Sequence, residues 1–294
     1  MAKASQPKIL IATPAYNEER YIGSVVLKAR QYADEVIVLD DGSTDDTSEI
    51  ARLAGATVIR HEENKGYGAA IQSLLAEAKK RNPEVLVLLD ADSQHNPDEI
   101  PSLIKSIISE GFDLVVGSRE QQKAKIPPYR RIGQRVLSYL SGILSGEKLS
   151  DSESGFRGFS RKAITVLEPR ENGMAVSAET IADAAEKGLK ISEIPISIVY
   201  TKDGSTLNPI RHGLGVLARI LAMISERRPL FFFGLGGNIL VALGLIAGVW
   251  TLHIFSIQGS LPPGPALLSV LLLTIGIFSI FTGIILHTLA RRKG

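Results

Sequence analysis

The chain of 294 residues has no cysteine, a single tryptophan and three methionines, and its 33 basic residues almost balance 31 acidic ones. The lack of cysteine rules out a disulfide framework; it fits a reducing compartment but also many others. A net charge of +2 offers no basic surplus of the kind nucleic-acid binding draws on, so no nucleic-acid partner is expected. Two nucleotide signatures are also missing. The pattern G-x-x-x-x-G-K-[ST] does not occur, and no G-x-G-x-x-G follows the first strand-like run, which disfavours a P-loop enzyme or a dinucleotide-dependent dehydrogenase. The weak match at Gly66-Tyr67-Gly68 reads as a close approach of helix to sheet. No secretory leader is expected, because residues 1–7 lead directly into a strand-like run.

Charge is absent from two stretches near the carboxyl end. Residues 230–255 and 266–290 carry no Asp, Glu, Lys or Arg, and they concentrate the apolar excess behind a hydrophobic content of 45% and a mean hydropathy of +0.13. Each run is roughly 25 residues, enough for a helix to cross a bilayer hydrocarbon core. The connector, residues 256–265, holds glycine and three prolines, so the pair is expected to form a transmembrane hairpin. Arg227 and Arg228 precede the first run, Arg291, Arg292 and Lys293 follow the second, and the connector is uncharged. By the positive-inside rule both chain ends and everything before residue 227 are expected on the cytoplasmic side of a cell membrane or an equivalent glycan-assembly membrane.

Ile-, Val- and Leu-rich runs recur at 9–12, 35–39, 56–59, 85–89 and 114–116, separated by stretches of helical spacing at 18–31, 44–53, 67–80 and 97–110. Continuous apolar strands alternating with helices predict an α/β fold with a mostly parallel, Rossmann-like sheet covered on both faces. Ligands of such sheets bind beyond the carboxyl ends of the strands. The segments in that position are polar: Thr13-Pro14-Ala15-Tyr16-Asn17-Glu18, Asp40-Asp41-Gly42-Ser43, Asp90-Ala91-Asp92-Ser93-Gln94-His95 and Gly117-Ser118-Arg119. Each fits helix capping when taken singly. The D-x-D pair after the fourth run also suits a hard divalent cation shared with a substrate's phosphates, since Mg²⁺ and Mn²⁺ take oxygen ligands.

Taken together, Pro14-Ala15-Tyr16-Asn17-Glu18, Val38-Leu39-Asp40-Asp41-Gly42-Ser43, Asp90-Ala91-Asp92-Ser93-Gln94-His95, Gly117-Ser118-Arg119 and Asp151-Ser152-Glu153-Ser154-Gly155-Phe156-Arg157 resemble family 2 glycosyltransferases of the GT-A fold. The narrower likeness is to the polyprenyl- or dolichyl-phosphate sugar synthases. The resemblance implies that Pro14, Tyr16, Glu18, Asp40 and Asp41 hold the nucleotide, together with Asp90, and that Asp90, Asp92 and Gln94 approach Mg²⁺ or Mn²⁺. It makes Arg119, Arg131 and Lys202 the expected phosphate or acceptor contacts, Lys202 standing where relatives often place Arg. Asp151 and Arg157 are the expected functional pair of the acceptor motif, and with Asp92 they form the expected catalytic set. His95 is expected to be structural in so oxygen-rich a setting.

The implied organisation is a GT-A catalytic domain over residues 1–207, an interfacial amphipathic helix over 208–228 and the hairpin over 229–294. Ile210, Leu214, Leu217, Ile220, Leu221 and Ile224 give that helix its apolar face, opposite Arg211 and Arg219; packing against the catalytic domain would use the same face. Arg119, Lys123, Lys125, Arg130, Arg131 and Arg135 make the segment after the fifth run basic, as either a solvated loop or a surface for an acceptor phosphate and anionic lipid. The implied reaction moves a hexose, with inversion, from a nucleotide-diphosphate sugar to polyprenyl or dolichyl phosphate at a lipid membrane and feeds glycosylation. GDP-mannose is favoured as donor, with UDP-glucose and UDP-GlcNAc open. An enzyme extending a saccharide on a hydroxyl acceptor is the alternative; a non-catalytic nucleotide-sugar-binding membrane module is the third. The processive type carries Gln-x-x-Arg-Trp, whereas Trp250, the one tryptophan, lies inside a predicted span.

Overall fold

The computed structural model describes residues 8–119, 128–198 and 209–291. They divide into two compact units, Met1–Ile220 and Leu221–Gly294. The first is built on a seven-stranded sheet in the order β3-β2-β1-β4-β6-β5-β7. Its strands are β1 (Ile9–Ala15), β2 (Glu35–Asp40), β3 (Thr57–Arg60), β4 (Val85–Leu88), β5 (Leu114–Ser118), β6 (Arg157–Ser160) and β7 (Ile191–Pro195). All pairings are parallel except those of β6, which runs against both β4 and β5.

Helices cover both faces, as near-continuous apolar strands require. They are α1 (Ile22–Ala29), α2 (Thr47–Leu53), α3 (Tyr67–Arg81), α4 (Ile100–Ile108), α6 (Arg161–Val166) and α7 (Val176–Glu186); α5 (Pro128–Ser145) lies against α7, and α8 (Pro209–Arg227) follows β7 along the chain. Alternate residues of one strand enter opposite cores. Leu10 and Ala12 join Leu74, Leu86 and Phe159 under α3 and α7, while Ile11 joins Val25, Val26, Val87 and Leu103 under α1 and α4. The segment around Arg130 and Arg131, read from sequence as either a solvated loop or a surface for an acceptor phosphate and anionic lipid, is the start of α5, with Pro128 at its first turn. Gly68 serves a different approach from the one expected. Its N–H donates to the Asn172 carbonyl at 2.8 Å, and a Cβ there would strike the 171–172 main chain rather than the sheet.

The sheet opens where its order turns. The β1–β4 ladder stops at Ala12 opposite Leu88, while β1 continues beside β2 as far as Ala15 opposite Asp40. Pro14, which has no N–H to offer, therefore sits where β1 has lost its neighbour on the β4 side. The diverging ends leave a crevice at the switch point, the customary ligand position of open α/β sheets.

Among the described side chains of α8, Val216, Ile220, Met223 and Ile224 are buried, whereas Leu214, expected on the apolar face, is exposed; Ile210 and Arg211 lie outside the described side chains. Arg219 pairs with Glu171, within the first unit. The second unit contains α9 (Pro229–Gln258) and α10 (Pro263–Arg291), each long and apolar enough to cross a membrane. Their contact is a seam of small residues at heptad spacing, Gly237, Gly244 and Thr251 against Ser269, Gly276 and Gly283. A Cβ on Gly237 would lie 2.6 Å from the Gly276 carbonyl oxygen, so glycine is what lets the two backbones approach. Ser269 Oγ and Ser279 Oγ donate across the seam to the Gly244 and Phe233 carbonyls at 2.8 and 2.9 Å.

Candidate active site

The crevice is a cleft of about 370 Å³. Three groups of residues line it: Pro14, Ala15, Tyr16, Glu18 and Asp41 on the β1–β2 side, Asp90, Ala91 and Asp92 at the end of β4, and Glu153, Gly155 and Met174 beyond. Asn64, Gly66, Tyr67 and Ala70 complete the wall.

The first two turns are tied to each other. Asn17, in a left-handed conformation at φ 54, takes Ser43 Oγ on its N–H at 2.9 Å, and its side-chain oxygen accepts from Thr44 N at 2.8 Å. Glu18 N donates to Thr47 Oγ1 at 2.8 Å. The two adjacent aspartates divide their work. Asp40 is fully buried, accepts from Ser43 N at 2.8 Å and from Ser48 Oγ, and pairs with Arg60 at 3.3 Å. Burial pushes its carboxyl up, but the Ser43 and Ser48 hydrogen bonds and the Arg60 charge outweigh burial and hold it below the usual range. Asp40, expected at the nucleotide, therefore shapes the turn from inside. Asp41 lines the cleft and fixes the next turn, accepting from Lys65 N at 3.0 Å and Gly66 N at 2.8 Å with His61 Nδ1 at 2.6 Å. Gly66 has φ +95, and this turn starts α3.

At the end of β4 the chain reverses through Ser93, whose φ of 59 is unusual for a residue with a side chain. Asp92 Oδ1 accepts from Gln94 N at 3.0 Å and stabilises that reversal. It is thus the Gln94 backbone that reaches Asp92; Gln94 stands outside the cleft lining. Tyr67 Oη donates to Asp90 Oδ1 at 3.3 Å. Burial, with Asp90 beside it, pushes the Tyr67 hydroxyl well above its ordinary value, which keeps it a donor. His95 stacks on Phe156 with ring centroids 5.3 Å apart, and its buried Nδ1 has no hydrogen bond and lies 3.6 Å from Asp90 Oδ2. Burial lowers the imidazole to about 4, so it is neutral at pH 7.

Negative charge accumulates on this lip. Burial raises Asp90, despite the Tyr67 hydrogen bond and the Arg119 and Arg157 charges. Burial and Asp90 together raise Asp92. Glu18 is pushed up to about 7, by burial first and then by Asp92, Asp45 and Asp90. Among the described residues no three His, Asp or Glu side chains form a ready-made metal cage. Two hard carboxylates on an open cleft nevertheless suit a cation of the Mg²⁺ type, which binds through one or two carboxylates and completes its shell with substrate phosphates and water.

The motif over residues 151–157 is arranged differently from the expected Asp151–Arg157 pair. Asp151 takes Arg119 in a two-pronged contact, Nη2 to Oδ1 at 2.6 Å and Nε to Oδ2, and accepts from Arg119 N at 3.2 Å. Glu193 on β7 holds the same loop, accepting from Ser150 N, Ser150 Oγ and Asp151 N at 2.8–3.0 Å. Arg157 is buried and spends its guanidinium on backbone, donating to the Ser152, Ser154 and Ser177 carbonyls at 2.6, 2.8 and 2.9 Å. It shapes the wall rather than reaching into the cleft. Gly155 presses its main chain on Asp90; a Cβ there would lie 2.7 Å from the Asp90 Cγ. Lys202 and the Arg131 side chain lie outside the described residues.

Tyr67, Glu153, Gly155 and Glu193 were not singled out from sequence. Tyr67 had a signal in its position between two glycines, and Glu153 in its place inside the 151–157 motif. Glu193, the outward end of a contact made 42 residues along the chain, had none.

A carboxylate-lipped cleft at the switch point of this sheet is the architecture of the GT-A fold. The fold matches glucosyl-3-phosphoglycerate synthase from Mycobacterium tuberculosis, solved with Mn²⁺, UDP and phosphoglyceric acid, with a TM-score of 0.60 and 23% identity over 76% of this chain and 78% of that one. Residues 10–167 match the Glycosyl transferase family 2 domain, and the chain belongs to that family: it is a glycosyltransferase. The UDP-N-acetylglucosamine–dolichyl-phosphate N-acetylglucosaminyltransferase of Methanococcus voltae is 34% identical over 218 residues, covering 66% of this chain and 86% of the relative. A dolichyl-phosphate hexose transferase of Haloferax volcanii is 30% identical over 223 residues, covering 75% and 95%.

Proposed function

We propose that the enzyme transfers a sugar from a UDP-linked donor to dolichyl or polyprenyl phosphate at the cytoplasmic face of a membrane. The observation that carries this reading is geometric: Glu18, Asp90 and Asp92 line one cleft at the sheet's switch point, a set of carboxylates that suits a cation whose remaining coordination a substrate diphosphate would fill. Bound Mg²⁺ or Mn²⁺ would neutralise the departing nucleoside diphosphate. Asp90 and Asp92 would hold the cation, Tyr67 keeps the Asp90 carboxylate oriented, and the Pro14–Glu18 and Asp41 turns would flank the nucleoside. Gln94, expected as a further metal contact, would have to turn in from outside the cleft.

The acceptor side follows from the same chemistry. A phosphate monoester with a second pKa of about 6 is already anionic at pH 7, so no strong general base is needed. Asp151, committed to Arg119, is suited to orienting that guanidinium and poorly suited to removing a proton. Arg119 would meet the acceptor phosphate, with Arg131 and Lys202 as further cationic contacts. The apolar helices α9 and α10 would anchor the chain as a hairpin, and the arginines and lysine at their outer ends would keep the catalytic domain cytoplasmic.

Two named relatives act on dolichyl phosphate, one of them with a UDP-linked sugar, and this supports the acceptor and a UDP donor over GDP-mannose, towards which Asp90-Ala91-Asp92-Ser93-Gln94-His95 leans in sequence. The test is a panel of labelled UDP-glucose, UDP-GlcNAc and GDP-mannose incubated with the purified protein, Mn²⁺ and dolichyl phosphate in detergent. Transfer into the lipid phase from a UDP-sugar is expected. Lipid labelling from GDP-mannose alone would overturn the donor assignment.

A further inference from the structure

We propose that Glu153 recognises the sugar of the donor, accepting hydrogen bonds from its hydroxyl groups. This rests on the reading of the cleft as a nucleotide-sugar site and adds to it the residue that reads the transferred group.

The strand order supplies the geometry. Along the carboxyl edge the sheet runs β2, β1, β4 and then β6. Because β6 is antiparallel, with Arg157 opposite Leu88, the residues that precede β6 emerge at the same edge as those that follow β4. The cleft therefore carries Pro14, Tyr16 and Asp41 to one side of Asp90 and Asp92, and Glu153 to the other. A nucleotide sugar has its diphosphate between nucleoside and sugar. With the nucleoside on the β1–β2 side and the diphosphate at the β4 end, the sugar falls on the β6 side.

Glu153 is held close to that position. The Gly155 main chain lies directly against the Asp90 carboxylate, and Arg157 fastens the same loop through the Ser152 and Ser154 carbonyls. Glu153 Oε1 accepts from Ser152 Oγ at 3.2 Å, a contact within its own loop. An ionised carboxylate offers about four acceptor sites, so capacity remains for the adjacent hydroxyls of a hexose ring. Asp151, the other carboxylate of the loop, is occupied by Arg119. That leaves Glu153 as the acidic side chain of this loop available to the cleft.

The experiment compares binding of two ligand pairs to the full-length protein by calorimetry with Mn²⁺ present: UDP against UDP-glucose, and GDP against GDP-mannose. In Glu153→Ala the nucleotide sugar should lose about 10-fold or more in affinity, as expected for hydrogen bonds to a charged group, while the nucleoside diphosphate changes by less than about 2-fold. Glu153→Gln, which keeps a carbonyl acceptor, should recover part of the loss. Unchanged diphosphate binding also shows that the cleft is folded. Equal weakening of diphosphate and nucleotide sugar would make Glu153 a structural or metal-side residue and overturn the proposal, as would no weakening of either. If the unaltered protein binds neither pair, the nucleotide-sugar reading fails and this inference fails with it.

Discussion

The charge on the cleft lip should make the metal-free enzyme less stable than it would be with one carboxylate removed. Glu18 is the most informative position, because its carboxyl is moved from 4.5 to about 7 by burial and by Asp92, Asp45 and Asp90. A displacement of that size corresponds to about 3 kcal/mol at 1.36 kcal/mol per tenfold change, and solvent at the cleft mouth reduces it to about 1–3 kcal/mol. The sign follows from linkage. The folded pKa lies above the unfolded one, so the penalty is absent below pH 4.5, grows between pH 4.5 and 7 as the unfolded chain ionises first, and is complete above pH 7. Glu18→Gln should therefore stabilise the protein at pH 8 in excess chelator and leave it nearly unchanged at pH 4. For a unit of this size, 1 kcal/mol moves Tm by about 2–4 °C, so a rise of about 2–12 °C is expected at pH 8. Thermal unfolding in detergent, followed at both pH values for variant and parent, provides the measurement. Adding Mn²⁺ and UDP should erase the difference, since a bound cation relieves the same repulsion. An unchanged or lower Tm at pH 8, or an equal rise at both pH values, would refute the reasoning.

Three further outcomes follow from the site. Asp92→Asn should lower turnover by about 10²–10³-fold and abolish Mn²⁺-dependent UDP binding in calorimetry, while full activity in excess chelator would dismiss the metal role. Gly155→Ala should destabilise by about 1–3 kcal/mol, because its methyl group meets the Asp90 carboxylate; an unaltered Tm and full activity would show that the wall yields. Arg157→Met leaves three buried carbonyls without their donor and should lower stability by about 3–5 kcal/mol, read as a fall in Tm; lost activity at unchanged Tm would instead place Arg157 at the substrate.

Much of the fold was legible because its parallel strands are buried on both faces and read as uninterrupted apolar runs. The 9–12, 35–39 and 85–89 runs fall on β1, β2 and β4. The end of β1 was not legible: Pro14 signals a break, yet pairing continues on the β2 side alone, which only the register reveals. β6 was also hidden, since Arg157-Gly158-Phe159-Ser160 has no strand-like composition and owes its place to the β4 and β5 edges it fills. Within the site, the D-x-D lip and the first turn stand where the motifs put them. The partnerships did not follow from sequence. Nothing in the spacing of Asp40 and Asp41 tells which faces inward, and nothing adjacent to Asp151 marks Arg119, 32 residues away, as its partner in place of Arg157.

The most direct test of the proposed reaction is the mass of the product. The full-length protein in detergent, given Mn²⁺, UDP-sugar and equal amounts of dolichyl phosphate, dolichol and a free saccharide, is expected to yield dolichyl phosphate heavier by one sugar residue, with dolichol and the saccharide unchanged. Sugar found on the saccharide, with dolichyl phosphate unaltered, would contradict the account.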